Sequence, residues 1–296
     1  MFSSVLQSVV AVLLTPLGRR RLDELFAEGA PEYLNAPLRF LLGGRLGRQD
    51  RQAVERVEAI RSKFRDREQV KRLLDAPLEL DGKLLPVDPS TFESQQLMSG
   101  WTARLSSVLQ YWGTCLYLLA STRRAKTILE LGSCIGISGS YLASAPSCDK
   151  FITVEQSPVL ASLANMNIRQ VARSVQVWNA WFDDALDKIL PALDGTLEMV
   201  YIDGHHEKAP TLHFMDRLIP YLGEGSLLVF DDIRWNRGMV EAWQIIARRP
   251  ELSFAVDLGR LGVCIWNGQS GHSKSYDLSI HTRWWQSGSA TFARNW

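Results

Sequence analysis

Thr127-Ile-Leu-Glu-Leu-Gly-Ser-Cys-Ile-Gly136, followed at Phe151-Ile-Thr-Val-Glu155 by a second apolar run that ends in a carboxylate, decides the fold. A short β-rich run breaks at Gly132 and the chain turns tightly through Gly136. Residues Ile137 to Ala145 then have helical composition, so backbone N–H groups and a helix start face whatever sits over the turn. Glu155 ends the next strand. In an open parallel sheet the carboxyl ends of the first two strands lie side by side at the ligand crevice, where a carboxylate can accept both hydroxyls of a ribose. The two pieces read as one nucleoside-cofactor site.

Outward from that stretch the pattern repeats as strand, turn and helix. Strands are expected near 127–131, 150–155, 175–179, 197–203 and 225–231, with a helix near Arg237 to Arg248. Two further β runs flank Gly259-Arg260 within Ser253 to Trp266 and read as a terminal hairpin. Such alternation means an α/β chain whose mostly parallel sheet is covered on both faces. Before residue 120 only helical periodicity is seen, clearest from Asp50 to Leu74, where Val54, Val57, Ile60 and Phe64 recur at three- and four-residue steps. The organisation expected is a helical N-terminal region over 1–120 acting as an arm or cap, a cofactor domain over 121–268 and a tail over 269–296.

Composition narrows the classes. The chain has 296 residues, of which 46% are apolar, enough for a substantial core. A net charge of +1 gives no general field for nucleic acid, and although ten Lys or Arg stand against five Asp or Glu between Arg45 and Arg72, the interleaving of Glu55, Glu58 and Glu68 reads as a solvated ion-paired face. No nucleic-acid partner is expected. Four cysteines without C-x-x-C spacing fit reduced thiols in the cytoplasm. Residues 2–17 are largely apolar but too short to span a bilayer and have their arginines after the run, so they read as a helix docked on the protein or on a second copy of the chain, with peripheral membrane contact as the alternative.

The glycine spacing, with Ser133 where a dinucleotide fingerprint would have its second glycine, argues against NAD or FAD. Strand four ends in Tyr201-Ile-Asp203-Gly-His205-His206-Glu-Lys208 and strand five in Phe230-Asp231-Asp232. Carboxylates crowded at neighbouring strand ends need something positive among them. A divalent cation is one answer, and simple capping of loops and helices is the other.

The order E-L-G, V-E, I-D-G-x-H, F-D-D resembles class I S-adenosylmethionine (SAM) dependent methyltransferases, in particular the small D-G-x-H / F-D-D family related to catechol-type, metal-dependent O-methyltransferases. The resemblance implies a doubly wound, seven-stranded, Rossmann-like sheet with a helical N-terminal extension. It implies SAM held by Glu130, Gly132, Ser133, Gly136, Ile137, Ser138, Glu155, Asn179, Ala180, Trp181 and Asp203, with the Trp181 indole at the adenine position. It also implies magnesium on Asp203, Asp231 and Asp232, although Asp232 stands where the catechol-type enzymes have Asn. His206 falls on the histidine of D-G-x-H and is the candidate general base, with Lys208 and His205 as neighbours that could take the role. The expected activity is methylation of a small-molecule hydroxyl; N-methylation and a catalytically silent SAM-binding scaffold are the alternatives.

Overall fold

The computed structural model describes residues 4–75, 77–80, 82–85, 88, 90–98, 107–193, 195–268, 271 and 273–282. The N-terminal region supplies α1 (Ser4–Ala27), α2 (Asn35–Leu41), α3 (Arg48–Lys63), α4 (Arg67–Leu74), a ribbon of β1 (Leu78–Leu80) and β2 (Lys83–Leu85), α5 (Phe92–Met98) and α6 (Gln110–Arg123). There follow β3 (Thr127–Leu131), α7 (Ile137–Ala143), β4 (Lys150–Glu155), α8 (Pro158–Ile168), β5 (Val175–Asn179), α9 (Phe182–Ile189), β6 (Leu197–Ile202) and α10 (Lys208–Leu218). The chain continues with β7 (Leu222–Phe230), α11 (Arg237–Ile246), β8 (Leu252–Asp257), β9 (Gly262–Trp266) and β10 (Lys274–Asp277). Strands β3 to β10 form one mostly parallel sheet of eight. The expected strands are all present, and β10 makes one more than the resemblance implied.

By compactness the chain divides into a unit of residues 46–194 and a second unit of residues 1–45 with 195–296. The first contains β3, β4 and β5, parallel and in that order, with Leu131 opposite Val154 and Glu155 opposite Asn179. Each of these strands is short, and β3 and β4 are buried almost throughout, as strands covered on both faces must be. Helix α6 is buried from Trp112 to Ala120, so its apolar residues run all round rather than along one stripe. Its Gly113 lets Tyr141 of α7 approach so closely that a Cβ at 113 would sit 2.3 Å from the ring. The helix expected from Asp50 to Leu74 is two: Asp66 interrupts it and caps α4, its Oδ1 accepting from Glu68 N at 2.9 Å and Gln69 N at 3.2 Å. The β1–β2 ribbon falls in a region read as free of strands, and Ser162 of α8 donates to its Glu79 carbonyl at 2.6 Å.

In the second unit the strand order is β6-β7-β9-β8-β10. Strands β6 and β7 are parallel, β9 runs antiparallel between β7 and β8, and β10 returns parallel to β8. The later half of α1 docks here through the fully buried Leu22 and Leu25, and its Gly18 lies against His281. Among the described residues no helix is long and apolar enough to cross a membrane. Residues 274–282, read from the sequence as part of a tail, supply β10 and a docked turn in which Thr282 donates to the Leu258 carbonyl at 2.7 Å. Trp284, Trp285 and Trp296 lie outside the described residues.

Candidate active site

In the unit of residues 46–194 the turn after β3 is held by its own backbone. Gly132 (φ 99°) donates to the Val154 carbonyl at 3.0 Å and Gly136 (φ 79°) to Ser133 O at 2.7 Å, and α7 starts directly after. Both glycines take the left-handed conformation that side chains resist. Glu155, at the end of β4, accepts from Cys134 N in that turn and from Ser157 N, each at 2.9 Å. The motif-bearing strand ends are therefore one hydrogen-bonded piece. Asn179 closes it on the next side, donating to the carbonyls of Glu155 (2.9 Å) and Gln156 (2.7 Å), while Ala180 N donates to Glu155 O at 3.2 Å.

Below the turn, Glu130 is fully buried and accepts from Thr153 Oγ1 at 2.7 Å; burial pushes its carboxyl up to about 7, against the lowering effect of the Ser138 and Thr153 hydroxyls. Gly139 leaves room for it, since a Cβ there would stand 2.8 Å from Glu130 Oε2. The buried Ser133 hydroxyl finds no hydrogen-bond partner among the described residues. A buried polar atom without a partner asks for a ligand or water. Ile137 is buried in the first turn of α7, and Trp181 caps the start of α9 with 55% of its surface exposed. The structure thus gathers Glu130, Gly132, Ser133, Gly136, Ile137, Ser138, Glu155, Asn179 and Ala180 at the carboxyl ends of β3, β4 and β5. It leaves Trp181 on the surface beside them.

The remaining candidates belong to the other unit, at the ends of β6 and β7. His205 (φ 63°), His206 (φ 40°) and Asp232 (φ 50°) all have left-handed backbone, a conformation costing on the order of 1–3 kcal/mol each and concentrated at functional positions. His206 is held by Asn236, which donates to its carbonyl at 2.8 Å while capping α11 through Met239 N. Its Nε2 stands 3.6 Å from Asp203 Oδ1, and its ring lies 6.0 Å from that of Trp235. Asp203 also accepts from the Tyr201 hydroxyl at 3.1 Å. The neighbouring candidates are turned elsewhere. The His205 ring faces Phe214 at 5.7 Å, and Lys208 pairs with Glu241 at 3.0 Å, which Arg237 also holds at 3.0 Å.

Among the acidic residues the positive charge expected from a metal is supplied by Arg260. Its Nε and Nη2 reach Asp231 Oδ1 and Oδ2 at 2.8 and 2.7 Å, and Nε stands 3.4 Å from Asp232 Oδ1. Burial pushes the Asp231 carboxyl up, but the Arg260 fork outweighs it and holds the group below the usual carboxylate range. Burial and the Asp231 charge raise Asp203 well above that range, and the same two causes push Asp232 up to about 6. As placed, Asp203, Asp231 and Asp232 do not fit a magnesium ion, because both oxygens of the central carboxylate are taken by guanidinium. Among the described residues no group of three or more His, Cys, Asp or Glu is arranged to hold a metal. Sequence reading passed over Arg260, Tyr201 and Asn236; the one available signal for Arg260 was its place in the β8–β9 turn, next to the strand that pairs with β7.

Residues 129–233 match a family described as "Methyltransferase domain". Over these residues the chain is similar to methyltransferase domains. Over 130 residues the chain is 32% identical to a catechol O-methyltransferase of Niastella koreensis, covering 43% of this chain and 58% of that enzyme, less than two thirds of its length. A catechol O-methyltransferase of Mycobacterium tuberculosis is 26% identical over 182 residues, covering 59% of this chain and 80% of that one. The methyltransferase fold is also that of the Bacillus cereus O-methyltransferase crystallised with SAH, at a TM-score of 0.51 and 21% identity over 62% of this chain and 92% of that chain.

Proposed function

We propose that the chain methylates a hydroxyl oxygen of a small molecule, with the turn after β3 holding SAM and the His206–Asp203 pair taking the proton. SAM supplies an electrophilic methyl on sulfur. The N–H groups of the Gly132–Gly136 turn, the Glu155 carboxylate and the buried Ser133 hydroxyl fit a polar nucleoside with an amino-acid tail, and Trp181 offers an exposed indole for a base. The Glu155 carboxylate accepts backbone N–H groups from Cys134 and Ser157, which fixes it at the end of β4 where a ribose would lie. Oxygen is favoured over nitrogen as acceptor by the relatives named above, which are O-methyltransferases. The spacing of the four cysteines, unlike a secretory disulfide framework, favours a cytoplasmic setting.

The observation that carries the assignment of the base is that, of His205, His206 and Lys208, His206 is the one whose ring stands over the acidic cluster. The acceptor oxygen forms its bond to the methyl carbon, the carbon–sulfur bond breaks with its electron pair left on sulfur, and the hydroxyl proton passes to His206. The charges of Asp231 and Asp232, which interact with the imidazole, stabilise the cation that forms. Calorimetry should show SAM binding that Glu155→Ala weakens by about 1–3 kcal/mol. His206→Gln should leave that binding intact while kcat with a phenol panel falls by roughly 10²–10⁴. Normal turnover in His206→Gln with loss in Lys208→Met would transfer the role to the lysine. Absence of SAM binding in the wild type would end the proposal.

A further inference from the structure

Arg260 reaches the acidic cluster from the β8–β9 turn, and that turn is fastened to the end of β7, where Ile233 N donates to Arg260 O at 3.1 Å. The arginine side chain is 12% exposed and that of Asp231 not at all. A planar fork making two short charge-assisted bonds to one carboxylate, with a third contact to its neighbour, is the geometry for which arginine is suited and lysine is not. Magnesium needs six oxygens at about 2.0–2.1 Å, and calcium six to eight at 2.3–2.6 Å. Neither requirement can be met around Asp231 while the guanidinium keeps both its oxygens, and a dication brought to Asp232 would meet a fixed positive charge a few ångströms away. The cluster already holds a cation supplied by the chain itself.

We propose that Arg260 is the resident cation of this cluster, standing where catechol-type relatives would place a divalent metal, and that the methyl transfer proceeds without one. The inference rests on the methyltransferase reading only for its second half; exclusion of the metal stands on the ion-pair geometry alone. It also narrows the acceptor. Chelation by two adjacent hydroxyls is not the means of recognition, so a lone hydroxyl on an aromatic ring, seated against Trp235 and within reach of His206, suffices.

Titration of the full chain with manganese, read by electron paramagnetic resonance, tests this without any need for turnover. The wild type should leave the free-ion signal unchanged up to about 1 mM, the weak end of the range for dedicated oxygen sites. Arg260→Gln, which frees the carboxylates, should bind manganese at least tenfold more tightly. Stoichiometric binding by the wild type, competed by magnesium and lost in Asp231→Asn, would overturn the proposal. Should Arg260→Gln not fold, Arg260→Lys keeps the charge without the fork and should exclude manganese as the wild type does; micromolar binding by Arg260→Lys would defeat the charge argument. With SAM binding established, turnover of a monohydroxy phenol should be unchanged in chelator. Loss of that turnover, restored by magnesium, would overturn the metal-free half. Failure to bind SAM at all would instead remove the methyltransferase reading and leave the manganese result standing.

Discussion

The turn after β3 and the loops after β6 and β7 both follow buried parallel strands, yet different forces hold them. The first is a backbone construction: glycine N–H groups, a carboxylate accepting two backbone N–H donors and an asparagine spanning two carbonyls. The second is a charge construction, in which Asp203, Asp231 and Asp232 are tolerated at low exposure because Arg260 faces them. Backbone bonds survive a change of pH or salt. A buried ion pair stands or falls with its partner, since losing one member leaves the other desolvated and alone.

The largest expected effect follows from that contrast. Asp231→Ala strands the Arg260 guanidinium and should lower stability by about 3–5 kcal/mol, read as a shift in the denaturation midpoint. Replacing both partners with apolar residues should recover most of the loss, and failure to recover would mean that the cluster is held by more than charge. At the β3 turn Gly136→Ala should cost about 2–4 kcal/mol, because φ is 79° and the new Cβ would stand 2.8 Å from Ala164 Cα, backbone that cannot swing away. Salt should leave this loss unchanged.

Glu130 carries the one strong pH dependence expected of the backbone-held site. Its folded value of about 7 lies above the ordinary 4.5, so folding favours the protonated form. The stability this contributes is fully present below about pH 4.5 and is lost as pH rises through 7. Glu130→Gln should therefore exceed the wild type by about 1–3 kcal/mol at pH 8 and lose that advantage below pH 5, measured by thermal unfolding across pH. The smallest effect belongs to Lys208→Met, whose pairing with Glu241 is exposed; its melting temperature should be indistinguishable from that of the wild type.

The same contrast explains what could be read from the sequence. The β3 turn was legible because its parts are near one another in the chain: two glycines, an apolar run and a carboxylate at a strand end report their own geometry. The second site was legible only for the residues that belong to strand ends. Asp231 and its partner Arg260 are 29 residues apart, and Lys208 and Glu241 are 33 apart, so nothing local announces either pair. For the crowded carboxylates the sequence offers a divalent cation or simple capping as alternatives, and the guanidinium that the β8–β9 turn brings to Asp231 is visible only once β9 is paired with β7. Strand β10 escaped notice because Lys274-Ser-Tyr-Asp277 is a short, largely exposed edge strand without apolar alternation. The break between α3 and α4 was hidden in a charge-rich stretch where Asp66 reads as one more surface acid.

The bond from Lys274 Nζ to the Glu28 carbonyl, at 2.6 Å, ties β10 to the end of α1 across 246 residues. During synthesis at roughly 5–20 residues per second, residue 28 waits on the order of 10–50 seconds for its partner. Residues 46–194 need no such delay, because every strand of that unit is consecutive in the chain. The turn carrying Gly132, Gly136 and Glu155 can therefore be complete on the ribosome before the arginine that supplies the other site's cation has been made.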